Sequence, residues 1–256
     1  MYREERKTLI EVGENKINYL KENTMGYLIS AMFAGMFVGL GALLSLTVGS
    51  YLDGTPTEKI GMGLAFPIAL SLVIMGKAEL FTSSTFILSM GMMQRRIRTI
   101  ETVKALLFCY IGNWAGALIL ALLFLGTGAM DGTVGKFVAE ISEVKIHYTI
   151  LQLITKGILC NILVCLVIWC ANRMKSETAK LILVFWCLFA LITNGFEHSI
   201  ANMTTLTLGL FRSHGFDITL MGYLYNIFWV TIGNVIAGVI FIALPYFIIV
   251  GKEKID

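Results

Sequence analysis

Long stretches without Asp, Glu, Lys or Arg alternate along this chain with short charged ones. Between Glu22 and Asp53 lie 30 such residues, and a helix needs about 20 mostly apolar residues to cross the hydrocarbon core of a bilayer. The pattern predicts spans over 27–50, 104–127, 146–171 (with Lys156 inside it) and 219–250. Two further regions, 60–93 and 180–211, are interrupted. The first is apolar for 17 residues, then broken by Lys77-Ala78-Glu79, then apolar for 15. The second is apolar for 16, broken by Glu197-His198, then apolar for 13. Each half is short for a crossing, while the two halves together exceed one. Each region therefore reads as one discontinuous span with unwound backbone at mid-membrane, where the freed polar groups must face protein or a water-filled cavity. The prediction is an all-α integral membrane protein with six transmembrane helices and broken second and fifth helices.

Composition agrees: 57% of the 256 residues are apolar and 14% charged, against about 45–50% and 25% in soluble domains. A soluble globule is excluded. The Lys and Arg residues of 1–23, 95–104, 173–180 and 252–254 number 14 on one side of a six-span layout, with 4 on the other (Lys59, Lys136, Lys145, Arg212). The positive-inside rule then places both termini in the cytoplasm. Splitting each broken region into two spans would put Arg95, Arg96 and Arg98 outside. Residues 1–24 read as a cytoplasmic amphipathic segment (Leu9, Ile10, Val12, Ile17, Leu20), 25–250 as the transmembrane domain and 251–256 as a cytoplasmic tail. The mixed charge of the first segment is not the short basic start of a signal peptide. The net charge of +3 reflects topology rather than nucleic-acid binding. All 5 cysteines lie in apolar runs, which excludes a secreted disulfide framework. Cys160, Cys165 and Cys170 recur every five residues, rotating about 140° per step on a helix, so they share no face and no metal site is expected. With no nucleophile–base pair or phosphate loop, neither an enzyme nor a cofactor is expected.

The chain also repeats. Ile111-Gly112-Asn113 returns as Ile232-Gly233-Asn234, 121 positions later, and the break around Gly76 and Glu79 returns at Gly195, Glu197 and His198. Three spans per half force the halves into opposite orientations, and interrupted segments at matching places in inverted halves point to a transport site near the midplane. Two such tripeptides could also recur by chance in Gly-rich helices. Gly35, Gly39, Gly41, Gly112, Gly116, Gly233 and Gly238 suit close helix contact in lipid.

Ionisable residues at bilayer depth are costly and are functional candidates by default. His198 is the foremost, as the side chain whose charge shifts most easily near neutral pH; the alternative is a neutral ring satisfied by a carbonyl or by Glu197. Thr82 offers one donor and two acceptor positions in the opposite break. Glu197 and Glu79 read as holders of unwound backbone. Lys145, starting the fourth span after a loop with Glu140 and Glu143, either attracts anions into an outer vestibule or snorkels at the interface. Lys77 and Lys156 receive no site, and His147 and His214 read as interfacial.

Gly76-Lys-Ala-Glu79-Leu80-Phe81-Thr82-Ser83-Ser84 resembles the loop interrupting the second helix of the formate/nitrite transporter family. Gly195-Phe-Glu197-His198-Ser-Ile-Ala-Asn202-Met203 resembles the signature around that family's central histidine. Lys145-Ile-His-Tyr-Thr149, the stretch Gly157 to Leu166 and the two Ile-Gly-Asn helices follow in order from about residue 25 to 250. The resemblance implies a homopentamer of aquaporin-like protomers in the bacterial inner membrane, each passing small monovalent weak-acid anions with protons. Formate is the first expectation, nitrite the second and hydrosulfide the third. It also implies a periplasmic-side constriction of Leu80, Phe81 and Val164 with Asn161 nearby, and a cytoplasmic one of Phe66, Leu70 and Leu191. A neutral-solute channel of the aquaporin kind would carry Asn-Pro-Ala at the breaks, which this chain lacks.

Overall fold

The computed structural model describes residues 2–250, and their regular structure is helical throughout; the expected tail 251–256 lies outside the described residues. Helix α1 (Arg3–Glu22) buries Leu9, Ile10, Ile17 and Leu20 along one stripe, while Val12 faces out. Asn23 alone separates α1 from α2 (Thr24–Tyr51), and its side chain accepts the Gly26 N–H at 2.8 Å to start the new helix.

The first interrupted region is broken in two places. Helix α3 (Glu58–Ala65) bends into α4 (Ile68–Met75) at Pro67, whose ring lacks the N–H an uninterrupted helix needs. The expected gap follows at 76–80, then α5 (Phe81–Met93). Helix α6 (Thr99–Gly126) starts five residues before the expected boundary, because the Glu101 carboxylate accepts from Arg98 N–H at 3.2 Å and caps an extra turn. The segment expected as a loop before the fourth span instead forms α7 (Thr133–Ile146), which buries Phe137, Val138, Ser142 and Ile146. The fourth span, α8 (Ile150–Ala171), begins after Lys145, at a Thr149/Gln152 capping pair. Helix α9 (Glu177–Thr193), a gap at 194–198, and α10 (Ser199–Phe211) form the second interrupted region. The described residues end in α11 (Leu220–Ile236), a π-helical turn (Ala237–Ala243) and α12 (Leu244–Val250). Five helical runs among the described residues are long and apolar enough to cross a membrane: Thr24–Tyr51, Glu58–Met75, Thr99–Gly126, Ile150–Ala171 and Leu220–Ile249.

Two close seams hold this bundle. On one, Gly35 of α2 lies on the backbone of Asn113 and Gly116 of α6 lies on that of Met32; on the other, Gly157 of α8 and Gly233 of α11 lie on the backbones of Val230 and Ile154. Only small residues permit such approach, which is how helices associate where lipid removes the hydrophobic drive between them. The seams enclose the short halves of the broken regions. Every residue from Phe81 to Gly91 and from Ser199 to Gly209 is buried, so α5 and α10 form the centre of the molecule.

Candidate functional site

Unwinding a helix inside a membrane leaves backbone donors and acceptors that need new partners. One asparagine supplies them at each gap. Asn113 Oδ1 accepts the Phe81 N–H at 2.9 Å, while its Nδ2 donates to Ala31 O (2.8 Å) and Glu79 O (2.9 Å). Asn234 Oδ1 accepts the Ser199 N–H at 3.0 Å, while its Nδ2 donates to Gly157 O (2.8 Å) and Glu197 O (3.2 Å). The two sets match bond for bond. In each, an asparagine ties the end of one gap and the start of the following short helix to the neighbouring long helix. Both asparagines are fully buried. Sequence reasoning used them as marks of a repeat and missed this pinning role, although the repeated tripeptide was the signal for it.

The pins bring the short helices together at their N-terminal ends. Thr82 Oγ1 and His198 Nε2 lie 3.2 Å apart, both buried. His198 caps α10, its Nδ1 accepting the Ala201 N–H at 3.3 Å. In the neutral ring this puts the hydrogen on Nε2, facing Thr82. A cavity of about 10 Å³ lies beside the pair, lined by Val38, Phe66, Ala69, Leu70, Leu80, Val164, Leu188, Leu191 and His198. His198 is its one polar residue. Five of the expected constriction residues line it, and Val38 and Leu188 join them. Phe81 does not; its ring meets Tyr110 edge-on with centroids 4.8 Å apart. Asn161 is also set back from it. Its Nδ2 contacts Thr82 O (3.3 Å), Thr85 Oγ1 (3.2 Å) and Asn234 O (2.7 Å), which ties the pore wall to the second pin.

Larger spaces open on either side of the narrow one. On the α7 side, a cavity of about 60 Å³ is bounded by residues including Ser45, Met62, Phe66, Lys145, His198 and Asn202. Lys145 sits in the last turn of α7, not at the start of the fourth span. Its Nζ donates to both Glu197 oxygens (2.7 and 2.8 Å) and to Asn202 Oδ1 (3.1 Å). Asn202 Nδ2 donates to Glu197 (2.5 Å) and to Asn226 Oδ1 (2.8 Å), and Asn226 Nδ2 returns to Lys145 O (2.8 Å). The expected free lysine is thus a paired one in a closed network. Neither Asn202 nor Asn226 had been expected in it. On the α1 side, a space of about 620 Å³ is bounded by residues including Lys16, Lys77, Glu79, Ser83 and Ile168. Here Lys16 of α1 pairs with Glu79, as Lys145 of α7 pairs with Glu197.

This geometry corrects the expected sides of the constrictions. Phe66 shares the α7-side cavity with Lys145, so Phe66 and Lys145 belong to one mouth and not to opposite ones. The chain enters the first interrupted region from the α7 side, meets Phe66 and Leu70 before the gap and Leu80 after it. Val164 lies one turn from Ile168, which lines the α1-side space. Phe66 and Leu70 therefore stand towards α7, as does Leu191, whose neighbour Ile192 lines the α7-side cavity, with Leu80 and Val164 towards α1. The expectation followed the resemblance and neglected the direction in which the chain runs.

The chain is similar to known proteins over nearly all of its length. A family model described as formate/nitrite transporter matches residues 4–248. The nitrite transporter NirC of Salmonella typhimurium is 39% identical over 233 residues, which covers 91% of this chain and 86% of that protein. A solved structure of an FNT family ion channel superposes with a TM-score of 0.90 at 36% identity, covering 95% of this chain and 97% of that one. A pentameric formate channel with formate bound superposes with a TM-score of 0.80 at 28% identity, covering 90% and 98%.

Proposed function

The chain belongs to the formate/nitrite transporter family, and we propose that it moves small monovalent weak-acid anions with protons across the bacterial inner membrane, nitrite first and formate second. The observation that carries the reading is the Thr82–His198 contact beside a cavity of about 10 Å³ that is otherwise apolar, with Lys145 on one side of it and Lys16 and Lys77 on the other. A bare anion meets a large desolvation cost in such a passage, whereas the neutral acid does not. His198, with Nε2 facing Thr82, is placed to exchange a proton with the anion there, and Thr82 to orient it. Leu80, Val164, Phe66, Leu70 and Leu191 exclude water, while Phe81, Asn161 and Glu197 hold the passage in shape. The order of substrates differs from the formate-first expectation, because the 39% identical relatives are nitrite transporters and the formate channel is 28% identical.

The same reading takes the molecule as six spans in two inverted halves. Its support is the matched pinning by Asn113 and Asn234 and the matched pairs Lys16–Glu79 and Lys145–Glu197. That match adds α1 and α7 to the repeat as corresponding elements. Both termini are then cytoplasmic, in keeping with the Lys and Arg distribution, and five protomers assemble in the bilayer, as in the pentameric neighbour. The test is side-by-side uptake of isotopic nitrite, formate and hydrosulfide into proteoliposomes. Nitrite or formate should enter well above empty vesicles. Entry of none of the three would sink the reading.

A further inference from the structure

Lys77 occupies the first gap in a left-handed backbone conformation, φ +50°. A side chain with a Cβ rarely adopts that region, and such an outlier in a ligand-facing segment asks for a functional reason. The matching gap meets the same requirement with Gly195, φ +67°. A glycine would therefore serve the turn at Lys77 as well, and the chain places an exposed lysine there instead. Its ammonium has no ion pair among the described residues, unlike Lys16, which is bound to Glu79, and Lys145, which is bound to Glu197. The charged residues bounding the α1-side space are Lys16, Lys77 and Glu79, which leaves one positive charge uncompensated. On the α7 side the only charged residue bounding the cavity is Lys145, whose charge Glu197 cancels. Lys156 lies against the matching gap without an acidic partner among the described residues, but its Nζ is held by Gly195 O at 3.0 Å and by the Tyr148 ring at 4.2 Å, whereas Lys77 is exposed.

We infer that Lys77 recruits small monovalent anions at the α1-side mouth. This rests on the reading of the chain as an anion pathway. Attraction by one unpaired charge across hydrated space of roughly 6–8 Å raises local anion occupancy about two- to threefold. Salt of about 1 M shortens its reach to about 3 Å and abolishes the effect.

The test measures initial rates of isotopic formate and nitrite entry in right-side-out and inside-out membrane vesicles from the same expressing cells, so that each face is offered the anion in turn. Lys77→Gln should raise the half-saturating concentration about two- to threefold for anion offered to the α1 face at low salt. It should leave the α7 face unchanged and match wild type at about 1 M salt. Lys77→Arg should behave as wild type. Lys77→Gly, which suits the left-handed turn and removes the charge, should behave as Lys77→Gln. The inference is overturned by an unchanged value in Lys77→Gln, by an equal change at both faces, or by a Lys77→Gly variant that behaves as wild type, since the residue would then matter for its backbone alone. A wild-type protein that moves neither anion in either vesicle sinks the anion-pathway reading, and this inference with it.

Discussion

At the scale of single residues, the deciding quantity is what a buried polar group loses when its partner goes. His198 has two partners, the Ala201 N–H on Nδ1 and Thr82 on Nε2. Asparagine caps helices as well, so His198→Asn keeps the start of α10 while removing the titratable ring. Uptake should persist in part but lose its coupling to protons. The measurement is nitrite uptake with an internal pH dye at external pH of about 5 to 8, which brackets the reference histidine value. Wild type should acidify the lumen as the anion enters, whereas the variant should carry anion with little acidification; equal coupling in both would make His198 a polar lining residue only. Lys145 is a harsher case, because Glu197 is buried beneath it. Lys145→Met strands that carboxylate and should cost about 3–5 kcal/mol, whereas adding Glu197→Gln should return most of it, since removing both charges is often near neutral. Melting midpoints in mild detergent check this, and an unchanged midpoint for Lys145→Met alone would show that the pair contributes nothing. His198, Thr82 and Glu197 were legible in the sequence because charge or polarity inside an apolar run is conspicuous. The Lys145–Glu197 pairing was not, because 52 positions separate the two and no local pattern records a contact across such a distance.

At the scale of elements, legibility follows the same physics. The long helices and both gaps showed in the sequence because a bilayer imposes length and apolarity together. Helix α7 and the bend at Pro67 did not. Helix α7 is too short to span and carries Lys136, Glu140, Glu143 and Lys145, so it resembles a polar connection until its buried side is seen. The gaps also needed partners that no local pattern names. Asn113 serves three backbone groups at once, Glu79 O in the first gap, the Phe81 N–H that follows it and Ala31 O of α2. Asn113→Leu strands the Phe81 N–H, while Glu79 O keeps Cys109 Sγ at 3.2 Å and Ala31 O lies inside α2, and a stranded buried group costs about 1–3 kcal/mol. The expected outcome is a lower melting midpoint with loss of selective uptake, because α5 then loses its fixed start. Asn113→Asp should fall at least as far, because its second oxygen would face the Ala31 and Glu79 carbonyls in a fully buried site. A full midpoint and normal uptake for Asn113→Leu would mean that seam packing at Gly35 and Gly116, rather than the asparagine, holds the gap. The helices bearing the two pins also touch. Tyr110 and Thr231, each three residues before its asparagine, share a 2.9 Å hydrogen bond, and the Tyr110 ring supports Phe81.

At the scale of the whole molecule, the question is what covers the outward faces. Large apolar side chains such as Met25, Ile29, Phe33, Leu107, Trp186 and Phe228 are exposed on a single chain. Hydrophobicity cannot tell lipid from a second subunit, because lipid tails are as apolar as leucine; the homopentamer expected from the resemblance therefore had no support in the apolar pattern itself. Shape is more informative. Beside the first gap an apolar groove of about 410 Å³ runs past Ile29, Phe33, Phe37 and Gly76, and Phe33 and Phe37 stack along it with centroids 6.0 Å apart. A groove of that size floored by glycine offers a neighbouring helix tighter packing than mobile acyl chains give. Van der Waals fit is the main drive for helix association in lipid. Together with the pentameric neighbour that superposes on 90% of the chain, this predicts five subunits, each with its own pore. Native mass spectrometry from mild detergent should give one dominant species at five chain masses. Phe33→Ala with Phe37→Ala should shift part of it to smaller species while leaving the fold of each chain intact by circular dichroism. Only monomers or dimers from wild type would remove the pentamer, and a double variant as stable as wild type in its assembly would move the subunit contact away from this groove.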